Sequence, residues 1–383
     1  MQAVSETQTL VIGAGPAGLA SGACLRRAGL PFVVLEQANT IASSWRGHYE
    51  RLHLHTDREH SSLPYLRFPR GTPRYPSRDQ VVSYLEQYAA HFGLRPLFGC
   101  RVSSLRRAAS GWDIETSTGG WRARRVILAT GTNAQPHLPA WPGREHFKGP
   151  LIHSRDYRNG APFHGQRVLV VGFGNSAGEI AVDLHEHGAR VLLAVRGAVN
   201  VAPRDILGLP ILSVSLLMSA LPPRLADALS WPLVRASIGD IETLGLRRSA
   251  SGPMTQIAAH GRVPLLDHGT LRLIRQGHIE VAGEVAELDA GGVRFGDGSW
   301  REVAAIVAAT GYRSSLASLL APAELPPPAS KARRPDGSAE RGLYFCGFAV
   351  SATGMLRDIG IEARRIAQHI AAAAHELQRF AVK

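Results

Sequence analysis

The sequence predicts an α/β protein made of two similar halves, on three observations. A strand–glycine turn–helix signal occurs twice, the same order of elements follows each copy, and the copies differ at one telling position. The first copy reads Thr9-Leu-Val-Ile-Gly13-Ala-Gly15-Pro16-Ala17-Gly18, and the second reads Arg167-Val-Leu-Val-Val-Gly172-Phe-Gly174-Asn175-Ser176-Ala-Gly178. In G-x-G-x-x-G the glycines allow the tight turn and bring the backbone against a pyrophosphate, which the following helix N-terminus holds through its N–H groups and dipole. One such match is weak, but two in full context predict two dinucleotide-binding, Rossmann-like domains. Eighteen residues past the last glycine, the first copy ends its next strand at Glu36 and the second ends its own at Arg196. A carboxylate there accepts from ribose hydroxyls, whereas a guanidinium suits a 2′-phosphate. The expectation is one FAD site and one NADPH site.

The remaining elements follow in order. After the first motif comes a long irregular stretch, then short alternating strands at Val102-Ser-Ser-Leu and Trp112-Asp-Ile-Glu, then Arg125-Val-Ile-Leu-Ala129-Thr130-Gly131. After the second motif the same order returns: Ile279-Glu-Val, Glu284-Val-Ala-Glu-Leu and Val293-Arg-Phe, then Ile306-Val-Ala-Ala309-Thr310-Gly311. Each half therefore reads as a βαβ unit, a small meander and a closing strand that returns to the sheet. Pro/Gly-rich segments at residues 135–143 and 321–328 mark the joints. A last helix, about Met355 to Phe380, carries Ile359, Ile366 and Ile370 at helical spacing and is expected to pack back on the first domain. The NADPH domain (161–304) is then inserted into the FAD domain (1–160 and 305–383), with a helical substrate-side segment at about 203–260.

Composition narrows the function classes. Of the 383 residues, 45% are hydrophobic and 19% charged, ordinary values for a soluble globular protein. The net charge of +12 comes from scattered arginines, lysine occurring only at Lys148, Lys331 and Lys383. No basic stripe with interleaved aromatics marks a nucleic-acid surface, so the positive field is assigned to attracting NADPH or an acidic substrate, or to coding bias alone. Cys24, Cys100 and Cys346 form no C-x-x-C, which argues for a reducing, cytoplasmic compartment and against dithiol redox chemistry. Neither a secretory signal nor an uninterrupted apolar span of eighteen residues is evident, so no stable membrane anchor is expected. The most apolar stretch, residues 206–221, reads as a helical wall of a substrate channel, a contact in a homodimer, or plain core.

Between the two nucleotide motifs lies Phe147-Lys-Gly149-Pro-Leu-Ile-His153-Ser-Arg-Asp-Tyr157. Here the chain resembles the class B flavin-dependent monooxygenases, whose identifying motif is F-x-G-x-x-x-H-x-x-x-W/Y. Tyr157-Arg158 is more similar to the flavin-containing monooxygenase branch than to the Baeyer–Villiger branch. Within it, Leu52-His-Leu-His, Pro203-Arg-Asp-Ile-Leu-Gly208, Leu244-Gly-Leu and Val263-Pro-Leu-Leu-Asp-His-Gly-Thr270 look like segments of the plant YUCCA-type enzymes. The run Val350-Ser-Ala-Thr-Gly354-Met-Leu departs from that group's usual Gly-Leu-Leu-Gly. The resemblance implies FAD, NADPH, O2 and a small-molecule substrate, a C4a-(hydro)peroxyflavin, and oxidative decarboxylation of an aryl-pyruvate such as indole-3-pyruvate. N- or S-oxygenation of a small nucleophile, or an NADPH oxidase or reductase activity, is the alternative. Gln37, Trp45, Arg46 and Val102 join Gly13, Gly15, Pro16, Ala17, Gly18, Glu36, Ala129, Thr130 and Gly131 as implied FAD contacts. Thr310 and Gly311 join Gly172, Gly174, Asn175, Ser176, Gly178 and Arg196 as implied cofactor contacts of the second half.

His48, His53, His55 and His60 cluster in sequence, and His53 and His55 would share one face of an extended segment. Their spacing gives no familiar zinc or iron pattern, so no metal is expected. Relatives among the amine oxygenases place an Asn beside the flavin at the position aligned with His55. The resemblance thus implies a catalytic His55 that orients an oxygen species or shuttles its proton. Arg204, Arg247 and Arg248 are candidates to seat a substrate carboxylate.

Overall fold

The computed structural model describes residues 4–322 and 342–381, grouped by their contacts into two units. The first comprises Met1–Arg46, Asp57–Gln135 and Arg313–Lys383. Its sheet contains β1 (Ser5–Ile12), β2 (Val33–Leu35), β3 (Val102–Ala108), β4 (Gly111–Thr116) and β5 (Gly119–Leu128), in the order β2-β1-β5-β4-β3. β1 runs parallel to both neighbours. β5 changes partner along its length: Gly119–Ala123 pairs antiparallel with β4, while Val126–Leu128 pairs in parallel with the strand Leu343–Phe345. Its sequence explains the change, because the end in the parallel sheet is a continuous buried run, Val126-Ile-Leu, covered on both faces. The helix α1 (Pro16–Arg27) is buried over nine consecutive residues, Ala17 to Leu25. Alanine, glycine and serine at most of these positions let it pack on all sides. The helix Met355–Ala381 lies against α1, with Ile359, Ile366 and Ile370 buried. α2 (Arg78–His91) begins at a capping box formed by Ser77 and Gln80.

The second unit comprises Gly47–Thr56 and Pro136–Tyr312. Its main sheet is wholly parallel: β6 (Leu151–His153), β7 (Arg167–Val171), β8 (Arg190–Ala194), β9 (Ile279–Ala282) and β10 (Ala305–Ala308), in the order β9-β8-β7-β10-β6. The helix α3 (Asn175–Glu186) connects β7 to β8. Ile279-Glu-Val, expected in the meander, is instead the sheet's edge strand β9. Three alternating residues do not distinguish an edge strand from a meander strand. The meander itself is Val285–Leu288, Gly292–Phe295 and Trp300–Glu302, and it covers a core containing Val293, Phe295 and Ile306.

The segment at about 203–260 is rooted where Val201–Pro203 pairs in parallel with Leu265–Asp267. It holds a short hairpin with Leu207 at its exposed tip, then α4 (Ile211–Met218), α5 (Pro223–Ile238) and α6 (Pro253–His260). No helix among the described residues is long and apolar enough to cross a membrane. The proline-rich joint at 321–328 falls, from residue 323 onward, outside the described residues.

Candidate active site

In the first unit, Gly13 has φ of 109°, and a Cβ there would stand 2.6 Å from the Ala129 carbonyl oxygen. A Cβ on Gly18 would meet the Gly13 carbonyl oxygen at 1.8 Å, so the close approach of helix to turn admits only glycine. Gly15 is different. Its Cβ position is open, with nothing within 4 Å, and it caps an α1 that has Pro16 at its first position and no side-chain cap. Such an end fits a pyrophosphate. Glu36 is buried beside the turn, its Oε2 accepting from the Ala14 N–H at 2.7 Å and its Oε1 from the Ala38 N–H at 2.9 Å. Thr130 Oγ1 is buried without a hydrogen-bond partner in the protein, as a hydroxyl reserved for a ligand would be. Gly13, Gly15, Ala17, Gly18, Glu36, Ala129, Thr130 and Gly131 thus gather at the ends of β1, β2 and β5. Val102 is half-buried at the start of β3, Trp45 is half-buried and Gln37 exposed. Arg46 turns its guanidinium to Glu86 and to the Ile41 carbonyl.

The second unit repeats the construction. Gly172 has φ of 123°, with a would-be Cβ 2.5 Å from the Ala309 carbonyl oxygen. Gly174 is open, and a Cβ on Gly178 would meet Leu265 Cδ1 at 2.8 Å. Gly174 caps α3, again with no side-chain cap. Asn175 spends its Oδ1 on the Leu266 N–H at 2.7 Å, and Ser176 hydrogen-bonds Tyr49. Arg196 stands two residues past β8, its side chain 77% exposed and 3.9 Å from Glu284. Its carbonyl accepts from Arg247 Nη2 at 2.9 Å, which brings a second guanidinium to this spot. Thr310 Oγ1 donates to the His137 carbonyl, and Gly311 has φ of 84°.

The linker motif is a set of fasteners. A Cβ on Gly149 would stand 2.2 Å from the Ala304 carbonyl oxygen. His153, at the end of β6, is buried; its Nε2–H donates to the Gly311 carbonyl at 3.0 Å, and its Nδ1 accepts the Arg155 N–H at 3.1 Å. Burial holds the imidazole below its ordinary pKa. Tyr157 Oη donates to Asp183 Oδ2 at 2.5 Å. Its histidine and tyrosine therefore tie β6 and the loop after it to the end of β10 and to α3.

His55 does not join a histidine cluster. His53 is exposed and bonds the Arg51 carbonyl, and His60 pairs with Asp57. The His55 ring instead meets Glu179 of α3, with Nε2 3.1 Å from Oε1, while Tyr49 Oη donates to Oε2 at 2.7 Å. Glu179 is only 4% exposed. Burial pushes its carboxyl upward, yet the facing His55 and His268 and the bonds from His55 and Tyr49 hold it below the ordinary carboxylate value. The Tyr49 hydroxyl is raised well above its usual value, chiefly by burial and next by Glu179. His268 lies with its ring centroid 5.1 Å from that of His55, and burial above all lowers it to about 4.

Sequence reasoning missed Glu179, Tyr49 and His268. The available signal was an acidic residue directly after Gly178 on a helix otherwise buried through Ala177, Ile180 and Ala181. His55, Glu179 and His268 offer ligand atoms within 4.8 Å of one another, a metal-like grouping that the spacing did not suggest. The donor set is one a metal could use, but the permanent cation beside it disfavours one. Arg204 Nη1 lies 3.1 Å from His268 Nδ1, and a guanidinium only donates, so the hydrogen of this neutral ring sits on Nε2, where no lone pair remains.

A cavity of about 470 Å³ opens here, lined among others by Arg51, Glu179, Arg204, Asp267 and His268. Of the candidate arginines, Arg204 borders it. Arg248 is engaged by Asp240 at 3.3 Å and by the Trp231 ring, 4.5 Å from its centroid.

Residues 10–206 match the family described as pyridine nucleotide-disulphide oxidoreductase. The disulphide chemistry in that description has no counterpart here, since Cys24, Cys100 and Cys346 are all buried and unpaired. The chain is 42% identical over 316 residues to the indole-3-pyruvate monooxygenase YUCCA1 of Oryza sativa subsp. japonica, covering 81% of this chain and 78% of that one. Its fold is that of a flavin-containing monooxygenase from Stenotrophomonas maltophilia, with TM-score 0.70, 24% identity, and coverage of 97% of this chain and 100% of that one. It is also that of an oxidized steroid monooxygenase bound to NADP, with TM-score 0.75, 19% identity, and coverage of 98% and 86%. FAD and NADPH are the cofactors of this family, and the two glycine turns have the form to hold them. Two nucleotide turns, buried unpaired thiols and this identity lead to one conclusion: the chain belongs to the YUCCA-type flavin-dependent monooxygenases.

Proposed function

We propose that the chain oxidatively decarboxylates an aryl-pyruvate such as indole-3-pyruvate. Its likeness to the rice enzyme of that name carries the reading. When bound, FAD and NADPH supply the reducing equivalents and activate O2: R-CH2-CO-COO⁻ + O2 + NADPH + H⁺ gives R-CH2-COO⁻ + CO2 + NADP⁺ + H2O.

The first unit holds FAD. The α1 N-terminus and Gly15 receive the pyrophosphate, Glu36 accepts from the ribose, and Ala129, Thr130 and Gly131 close over the turn. Gln37, Trp45, Arg46 and Val102 line the remainder. The second unit holds NADPH through Gly172, Gly174, Asn175, Ser176 and Gly178, with Arg196 on the 2′-phosphate and Thr310 and Gly311 at the sheet end. On this reading an NADPH domain (161–304) is inserted into an FAD domain (1–160 and 305–383). The first unit's composition from both ends of the chain supports the insertion, with the second unit beginning at Pro136 and taking in Gly47–Thr56. The segment at about 203–260 lies on the substrate side, where Arg204 receives the carboxylate and His55 handles the proton. Three unpaired cysteines favour a cytoplasmic setting.

The test is stoichiometry. Purified enzyme given indole-3-pyruvate or phenylpyruvate should consume NADPH and O2 equally and release CO2 and the acid shortened by one carbon. NADPH consumption that yields only peroxide with either acid sinks the reading.

A further inference from the structure

We infer that Glu179 is a positioning residue for His55: its carboxylate fixes the imidazole with hydrogen on Nε2 and leaves Nδ1 as the ring nitrogen that takes and returns a proton. This rests on the role proposed above for His55.

The chain of contacts begins at the N-terminal turn of α3. Ser176 hydrogen-bonds Tyr49, Tyr49 Oη donates to Glu179 Oε2, and Oε1 faces His55 Nε2 at 3.1 Å. A carboxylate anchored through one oxygen presents the other in a fixed direction. An ionised carboxylate only accepts, so the hydrogen between Glu179 and His55 belongs to Nε2, and the lone pair is left on Nδ1. The same logic of a base oriented by an acceptor recurs in catalytic dyads.

The charged and titratable groups around the pair do not offer a substitute. Arg204 is a permanent cation, and its donation to His268 Nδ1 places that ring's hydrogen on Nε2. His268 therefore presents no lone pair toward His55. Arg51 is spent on Glu186 at 2.6 Å. Tyr49 keeps its proton and serves the carboxylate. His53 also keeps a ring nitrogen to spare, but its hydrogen is fixed on Nδ1 by the Arg51 carbonyl and not by Glu179. His55, with 23% of its side chain exposed, combines a hydrogen fixed by the carboxylate with a ring nitrogen to spare. A purely structural tie is the competing reading, and it predicts something different. A glutamine would bridge Tyr49 and His55 without the cost of a buried charge. Only an obligate acceptor forces the tautomer.

The experiment is a long-range ¹H–¹⁵N correlation spectrum of the FAD-loaded enzyme with NADP⁺, the His55 signals being assigned by their absence in His55→Asn. The wild type should show His55 as the Nε2–H tautomer. Glu179→Gln should lose that pattern and lower product formed per NADPH about tenfold or more, while Glu179→Asp restores the tautomer and part of the coupling. An Nδ1–H pattern in the wild type overturns the inference, with no variant needed if Glu179→Gln does not fold. So does Glu179→Gln with tautomer and coupling both intact. Intact coupling in His55→Asn instead removes the His55 role on which the inference stands.

Discussion

Gly13 and Ala129 lie so close that a Cβ on the glycine would stand 2.6 Å from the alanine's carbonyl oxygen, and Gly172 repeats the relationship with Ala309 at 2.5 Å. In each unit the first glycine of the nucleotide turn packs under the alanine of an Ala-Thr-Gly. The spacing of the two signals in the chain is thus a contact in the fold. Both glycines also sit at positive φ, where a side chain is strained by about 1–3 kcal/mol even before the collision.

The pair of turns should therefore fail separately. Gly13→Ala is expected to purify without FAD or not to fold. Gly172→Ala should keep its yellow colour and lose NADPH-driven flavin reduction. Absorbance at the flavin band and stopped-flow reduction read the two outcomes. Loss of flavin from Gly172→Ala would show that the turns are not assigned to separate nucleotides.

Coenzyme choice should rest on Arg196. Charge-assisted contacts contribute about 1.5–3 kcal/mol, and an exposed side chain belongs at the lower end, roughly tenfold in affinity. Arg196→Ala should raise the Kd for NADPH by that factor and leave NADH unchanged. Arg247, bonded to the Arg196 carbonyl, should contribute less. A wild type that accepts NADH as readily as NADPH contradicts the assignment.

The parts of the site legible in the sequence were the local ones. Gly13, Gly15, Gly18 and Glu36 announce themselves because turn, helix start and strand end follow in order, and Arg196 is the odd member at the matching place. His153 was visible only through family resemblance, since its acceptor Gly311 lies 158 positions away. Glu179 and His55 are 124 apart, and no periodicity links a helix residue to a loop histidine across that distance. The histidines that cluster in sequence do not converge, for the converse reason. Proximity along an irregular segment says little about convergence, and the rings of His53, His55 and His60 part toward the Arg51 carbonyl, Glu179 and Asp57.

Stability should carry an opposed pair of pH dependences. His268 is held at about 4, chiefly by burial, against an ordinary histidine near 6.5. In that window the unfolded chain binds a proton that the folded chain refuses. This group's contribution is full above about 6.5 and is lost as pH falls, by about 2 kcal/mol at pH 5. Glu362 works the other way. Burial raises its carboxyl from 4.5 to about 7, so the fold keeps that proton and loses stability as pH climbs from about 4.5 to about 7. The wild-type curve should be flattened by the opposition. His268→Gln removes one side only, so the stability gap between wild type and variant should shrink from pH 7 to pH 5 in thermal melts of FAD-loaded protein. A gap independent of pH means that His268 titrates normally in the fold.

Substrate choice should turn on the cation beside the cavity. Arg204 borders it, donating to His268 and lying 3.6 Å from Asp205, whereas Arg248 is engaged by Asp240 and Trp231, and Arg247 by the Arg196 backbone. A keto acid brings a carboxylate that needs a guanidinium, and an amine or thioether does not. Arg204→Ala should therefore raise KM for indole-3-pyruvate about tenfold, with little change in the NADPH oxidation seen without substrate. Arg248→Ala should leave that KM nearly unaltered. The comparison with a simple thioether decides the class: its oxygenation by the wild type, with NADPH consumption indifferent to either keto acid, would replace decarboxylation by heteroatom oxygenation.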